Sequence, residues 1–176
     1  NQELEFLKNK NLDLAIVVSY GQIIPENYLD ISKNGFINIH ASLLPKWRGA
    51  APIQRSILNG DTETGVCVMK IVKKLDAGPI ISREKIRISY DDDAGTIYNK
   101  IVSLGKPLLL KSLKNIIANK YQLIDQKDDD ACYAKKIEKI ESRIFWNELA
   151  ENINLKVRAF NPFPGAWTFL SGTDLR

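Results

Sequence analysis

Phe36-Ile37-Asn38-Ile39-His40-Ala41-Ser42-Leu43-Leu44-Pro45 decides the reading of this chain. Residues 35–41 carry the pattern of a β-strand. Successive side chains alternate across a strand, so Asn38 and His40 share one face with Phe36 as their apolar neighbour. Ile37 and Ile39 point the other way. His40 is the only histidine among 176 residues. An amide donor beside an imidazole at a strand end can hold a developing oxyanion and manage a proton.

The chain N-terminal to this strand supplies a crossover. Residues 2–10 read as a helix with Leu4 and Leu7 on one face. Leu14-Ala15-Ile16-Val17-Val18-Ser19-Tyr20 is a continuous apolar run, the pattern of a strand buried on both faces of a parallel sheet. Gly21 and Pro25 break it, and a short helix fits Glu26 to Leu29. Strand, crossover, strand points to an α/β fold with parallel neighbours.

On the other side, Pro45-Lys46-Trp47-Arg48-Gly49-Ala50-Ala51-Pro52 reads as a loop stiffened by proline at both ends. Pro52 suits the first turn of a helix and Gly60 its C-terminal stop. Gly65 to Val72 alternates as a strand, with Val66, Val68 and Lys70 opposite Cys67, Met69 and Ile71. Lys73 to Gly78 forms a turn, and residues 79–88 return as an antiparallel partner. Asp93 is placed to cap a helix with the stripe Ile97, Ile101, Leu104 and Leu108, which Pro107 should kink or divide. Residues 142–146 suit a short strand. Glu148 to Phe160 suits an amphipathic helix with Leu149, Ile153, Leu155 and Val157 inward. With only these strands, the apolar run at Leu14 to Val18 would be left as an open edge. The expectation is therefore that more polypeptide precedes residue 1.

Composition is that of an ordinary globular chain: 44% hydrophobic, 26% charged, net charge +4. No apolar run approaches the roughly 18 residues of a membrane span, and Asn-Gln-Glu-Leu-Glu at the start lacks a signal-peptide layout. Cys67 and Cys132 form no CxxC unit and read as inert buried thiols, which suits a reducing cytoplasm. Asp91-Asp92-Asp93 reads as a helix cap and Asp128-Asp129-Asp130 as a solvated loop; no metal is expected at either. Lys46, Arg48, Lys73 and Lys74 read by default as solvated side chains.

Asn38, His40 and Asp76 can make one site if the Lys73–Gly78 turn folds back over the carboxyl ends of the strands, where ligands bind in such sheets. A carboxylate beside an imidazole favours its protonated form and fixes its tautomer. Each residue also has a plainer reading. A histidine at a strand end is often a satisfied structural residue, an aspartate before Ala-Gly is a turn residue, and an asparagine can bond a neighbouring loop. Ser42 lacks the G-x-S-x-G setting of a nucleophile.

Asn38-Ile39-His40-Ala41-Ser42-Leu43-Leu44-Pro45, then Arg48-Gly49, then Leu75-Asp76-Ala77-Gly78 resemble the split motif of the folate-dependent formyltransferases. Trp47 to Arg55, Gly60 to Val66, Tyr133 to Ile137, Ser142 to Ile144 and Arg158 to Pro162 resemble the branch of that family that acts on methionyl-tRNA. The resemblance implies a Rossmann-like α/β fold, mostly parallel with an antiparallel hairpin, whose N-terminal strands are missing from this chain. It implies that residues 1–165 belong to a catalytic domain and 166–176 to a linker or the start of a β-rich domain. It implies formyl transfer from 10-formyltetrahydrofolate, without a metal, to the amino group of methionine on initiator tRNA. Asn38 and His40 would stabilise the tetrahedral oxyanion and Asp76 would tune the imidazole. Ser42, Leu43, Leu44 and Pro45, with Val18, Ser19 and Tyr20 after the first strand, would hold the folate. A cytoplasmic or organelle-matrix enzyme, monomeric in full-length form, is expected. Phe145 stands where the family carries an acidic residue.

Overall fold

Alternating strand residues pack on two sides of a small sheet, and this sets the position of everything else. The computed structural model describes residues 2–170 and 173–175. After helix α1 (Gln2–Lys8), strand β1 (Ala15–Val17), helix α2 (Glu26–Leu29) and strand β2 (Phe36–His40) form the expected parallel pair, with Val17 opposite Asn38. A two-residue strand β3 (Arg48–Gly49) and helix α3 (Pro52–Leu58) follow. Strands β4 (Glu63–Lys70) and β5 (Ile80–Arg87) form the expected antiparallel hairpin. β4 also pairs antiparallel with β2, so the sheet order is β1-β2-β4-β5.

One face of this sheet is covered by helix α4 (Ala94–Ile117). Ile37, Val66 and Val68 meet Ile97, Ile101 and Leu108 there. The opposite face is a smaller apolar patch of Cys67, Met69, Leu44 and Ile80. His40 pairs with Cys67 and Asn38 with Met69. Paired residues share a face, so both polar side chains lie on the side away from α4. Burial pushes the Cys67 thiol up to about 11, which leaves it protonated and unreactive at neutral pH.

The apolar run at Leu14–Val18 is not buried on both faces. β1 is an edge strand, with Ile16 46% and Val18 56% exposed. The Pro45–Pro52 segment is not wholly loop: β3 pairs in parallel with strand β6 (Tyr133–Ala134), residues far along the chain. α4 runs unbroken through Pro107. Its core stripe uses Gly105 where Leu104 was predicted, and Leu104 is exposed. A Cβ on Gly105 would lie 2.9 Å from the Cδ1 of Ile39, so helix and sheet are in close contact here and a larger residue would need the end of the Ile39 side chain to shift. Residues 142–146 form no strand; a 3-10 turn (Lys139–Ser142) leads to a single bridge between Arg143 and Trp167. Helix α5 (Ala150–Phe160) buries Ala159 and Phe160, whereas Leu149 and Val157 face outward. Strands β7 (Thr168–Leu170) and β8 (Thr173–Leu175) pair as a hairpin. The predicted linker or domain start at 166–176 falls partly on residues 171, 172 and 176, outside the described residues.

Asp93 caps α4 as predicted, accepting from the Thr96 N–H at 2.7 Å. Beside it, Asp92 is buried and accepts from Lys100 Nζ and the Ser89 N–H. Burial alone would raise the Asp92 carboxyl, but Lys100 and Ser89 outweigh it and hold it below the ordinary 3.8. A depressed carboxylate stabilises the fold above its unfolded value, and that contribution is lost as pH falls through the folded value. Asp92→Asn should therefore flatten the loss of stability below about pH 4, read as urea midpoint against pH. An unchanged acid limb would contradict this assignment.

Candidate active site

The chain leaving β2 turns back on itself at once. Ser42 is fully buried and its hydroxyl donates to the Lys46 carbonyl at 2.6 Å. This closes the 42–46 turn and presents the Trp47 carbonyl to the histidine ring. His40 Nε2 lies 2.8 Å from that oxygen. A carbonyl can only accept, so Nε2 carries a proton and Nδ1 is the nitrogen left to gain or release one. Trp47 is fixed in turn by its indole N–H on Asp61 at 2.7 Å and its amide N–H on Cys132 Sγ at 3.2 Å. Cys132 is thus half-buried, not fully buried as predicted.

His40 Nδ1 faces Asp76, 3.7 Å from Oδ2. The same carboxylate oxygen accepts the Gly49 N–H at 2.8 Å. Side-chain exposure is 5% for His40 and 15% for Asp76, so the pair is shielded while remaining reachable. At 3.7 Å the two share no hydrogen bond; the carboxylate sets a negative charge beside Nδ1, whose proton is left available to a substrate atom. Asn38, two residues before His40 on the same face and half-buried, completes the predicted trio. Asp76 and His40 are brought into contact, and Asn38 lies on the face they share.

Gly49 is the hinge of this arrangement. Its φ is +118°, and a Cβ would sit 2.7 Å from the Ala134 carbonyl oxygen. Gly49→Ala should destabilise the chain by about 1–3 kcal/mol and displace the N–H that holds Asp76. Chemical denaturation checks the first effect; wild-type stability would count against it.

The predicted folate residues divide. Ser42 and Leu44 are buried, with Leu44 in the apolar patch under the site, while Leu43 and Pro45 are half-buried. The Ser42 hydroxyl is already engaged by Lys46, so this segment offers a ligand backbone groups and apolar walls. Val18, Ser19 and Tyr20 follow β1 at the end of the sheet where His40 lies, and all are exposed.

The prediction that Arg48 is solvated does not hold. It has no exposed surface, because β3 carries it inward under Gln126 and Asp128, which accept from its Nε at 3.0 Å and its Nη1 at 2.8 Å. Lys73 and Lys74 stay exposed and pair with Glu26 and Asp128. Asp128 lies in a 3-10 turn, where Lys74 and Arg48 hold its carboxyl below the ordinary range. Phe145 lies 4.7 Å from the Arg143 guanidinium, a cation–π contact. Among the described residues no group of three or more His, Cys, Asp or Glu could hold a metal ion, and no helix is long and apolar enough to cross a membrane.

Sequence reasoning missed Gln126. Its amide donates to the Asp76 carbonyl at 2.9 Å and to the Gly78 carbonyl at 2.7 Å. It sits in a polar stretch without periodicity, which carries no signal for such a role.

A family model described as formyl transferase matches residues 1–113, and one described as formyl transferase, C-terminal domain, matches 136–176. A methionyl-tRNA formyltransferase of Pelagibacter ubique is 52% identical over 166 residues, covering 94% of this chain and 54% of that protein. The chain thus spans about half the length of the curated relatives it matches. HypX from Aquifex aeolicus, solved in complex with tetrahydrofolic acid, has the same fold, with a TM-score of 0.83 at 20% identity over 99% of this chain and 30% of that one. An N-formyltransferase from Helicobacter canadensis, in complex with folinic acid and dTDP-3-aminofucose, matches with a TM-score of 0.75 at 26% identity over 89% and 58% of the two chains.

Proposed function

The chain belongs to the formyl transferase family, and on that premise we propose that it carries the catalytic centre of a methionyl-tRNA formyltransferase. The observation that carries this reading is the shielded His40–Asp76 pair, 3.7 Å apart, on the sheet face shared with Asn38. The identity to relatives of that name over nearly the whole chain favours methionyl-tRNA as acceptor. The formyl donor is a folate, as in the folinic acid complex of the 26% identical relative, and we take it to be 10-formyltetrahydrofolate.

The reaction needs three things of the protein. The α-amino nitrogen of methionine attacks the formyl carbon, and the formyl oxygen becomes an oxyanion. The new nitrogen–carbon bond persists while the bond to the folate nitrogen breaks. One proton leaves the amine and one reaches the folate nitrogen. Asn38 donates to the oxyanion from its amide and His40 from Nδ1, the ring nitrogen that the Trp47 carbonyl leaves free. Each such donor is worth about 2.7–4 kcal/mol in the transition state. His40 Nδ1, beside Asp76, holds the proton in transit. Ser42 to Pro45 and Val18 to Tyr20 form the slot for the folate ring. We place the catalytic domain at residues 1–165, with 166–176 as a linker or the start of a β-rich domain. The enzyme works in a cytoplasm or organelle matrix, and the full-length form is a monomer.

The test is formyl transfer from 10-formyltetrahydrofolate to charged initiator tRNA by full-length protein bearing this sequence. Formyl-methionine is the expected product. Formate released without an acceptor would instead indicate a hydrolase, and transfer only to a sugar amine would indicate a sugar N-formyltransferase. Folate or RNA binding without turnover would indicate a non-catalytic module.

A further inference from the structure

We infer that Gln126 is a positioning residue that delivers the Asp76 carboxylate to His40; this rests on the functional reading above. The β4–β5 hairpin reverses at the wrong end of the sheet for Asp76. Ile37 pairs with Lys70, next to the turn, whereas His40 pairs with Cys67. Three residues of strand separate them, about 10 Å. The turn must therefore fold back across the face to bring Asp76 to the ring, and it does so through a strained backbone, with Asp76 at a φ of +47°. Such a conformation in a non-glycine residue persists only where the surroundings hold it.

Gln126 supplies that hold. Its amide N–H groups bond two carbonyls of the turn, those of Asp76 and Gly78. The amide is oriented by its other end. Arg48 is a donor only, so the atom facing its Nε is the Gln126 oxygen. The segment carrying Gln126 is itself pinned to the hairpin. Ile124 and Ile80 exchange both backbone hydrogen bonds, at 2.8 and 2.9 Å. Asp128 then ties Lys74 of the turn to the buried Arg48. Gln126 lies outside both stretches matched by the family models, 1–113 and 136–176. A segment connecting the two matches thus sets the geometry of the catalytic carboxylate.

Gln126→Glu tests this in full-length protein, because it keeps the side-chain shape while placing an oxygen against two carbonyls. It should lower kcat about tenfold or more with KM for the folate donor little changed. In an Asp76→Asn background the same substitution should change kcat less than about twofold, since residues acting as a unit are not additive. Equal losses in both backgrounds would make Gln126 a general support of the fold and overturn the inference, as would wild-type kcat in Gln126→Glu. Hydrogen exchange of the Gly49 amide, whose N–H is held by Asp76, judges the clasp independently of activity. Exchange should be faster in Gln126→Glu; unchanged protection would overturn the inference. If Asp76→Asn alone leaves formyl transfer intact, the catalytic reading fails, and Gly49 exchange still decides whether Gln126 holds the turn.

Discussion

His40→Ala should lower kcat for formyl transfer by about a hundredfold or more, the largest effect on activity expected of a single change. On the proposed mechanism, the substitution removes both an oxyanion donor and the proton carried at Nδ1. It also leaves the Trp47 carbonyl without its partner, which costs about 1–3 kcal/mol of stability. Activity and stability should therefore separate: a folded protein with a collapsed kcat. Single-turnover transfer alongside a urea melt measures both. A rate within a few-fold of wild type would remove the imidazole from the mechanism.

Arg48→Ala should have the largest effect on stability, a loss of about 2–4 kcal/mol. Arg48 is the largest fully buried side chain in the chain's described part. Burial disfavours its charge, yet the hydrogen bond and negative charge of Asp128 work against that, and its pKa lies above the usual guanidinium value. One nitrogen, Nη2, is buried without a partner. Truncation to alanine empties the volume and strands the Gln126 amide oxygen. Arg48→Met keeps most of the stem and should recover part of the loss. Because Arg48 orients Gln126, both variants should also reduce kcat. Chemical denaturation that places Arg48→Ala within about 0.5 kcal/mol of wild type, the range of ordinary surface changes, would contradict the buried role.

What the sequence disclosed follows the range of the interactions involved. Alternation along residues 36–40 placed Asn38 and His40 on one face, and the Asp93 cap and Gly60 stop are local signals that local chemistry decides. The fold-back of Asp76 was legible as a possibility in the Lys73–Gly78 turn, but what holds it was not. Gln126 and Arg48 meet across 78 residues, and Trp47 and Cys132 across 85; no period or spacing encodes such meetings. The same cause misplaced Arg48 in solvent, since an arginine reads as exposed until its partners are known. Leu104 failed because the helix face is set by where it touches the sheet. Gly105 lies against Ile39 and Val66 of the sheet, which turns Leu104 outward. Leu149 and Val157 failed because α5 buries only its C-terminal end, at Ala159 and Phe160.

Formyl transfer at this site requires Asn38, His40 and Asp76 to surround one carbonyl carbon. A crystal structure of full-length protein with a non-transferring 10-formyl folate analogue examines this directly. The formyl oxygen should lie about 3 Å from both the Asn38 amide nitrogen and His40 Nδ1, with the Asp76 carboxylate still beside that nitrogen. A formyl group bound elsewhere, with the Asn38 amide and the His40 ring both out of reach, would contradict it.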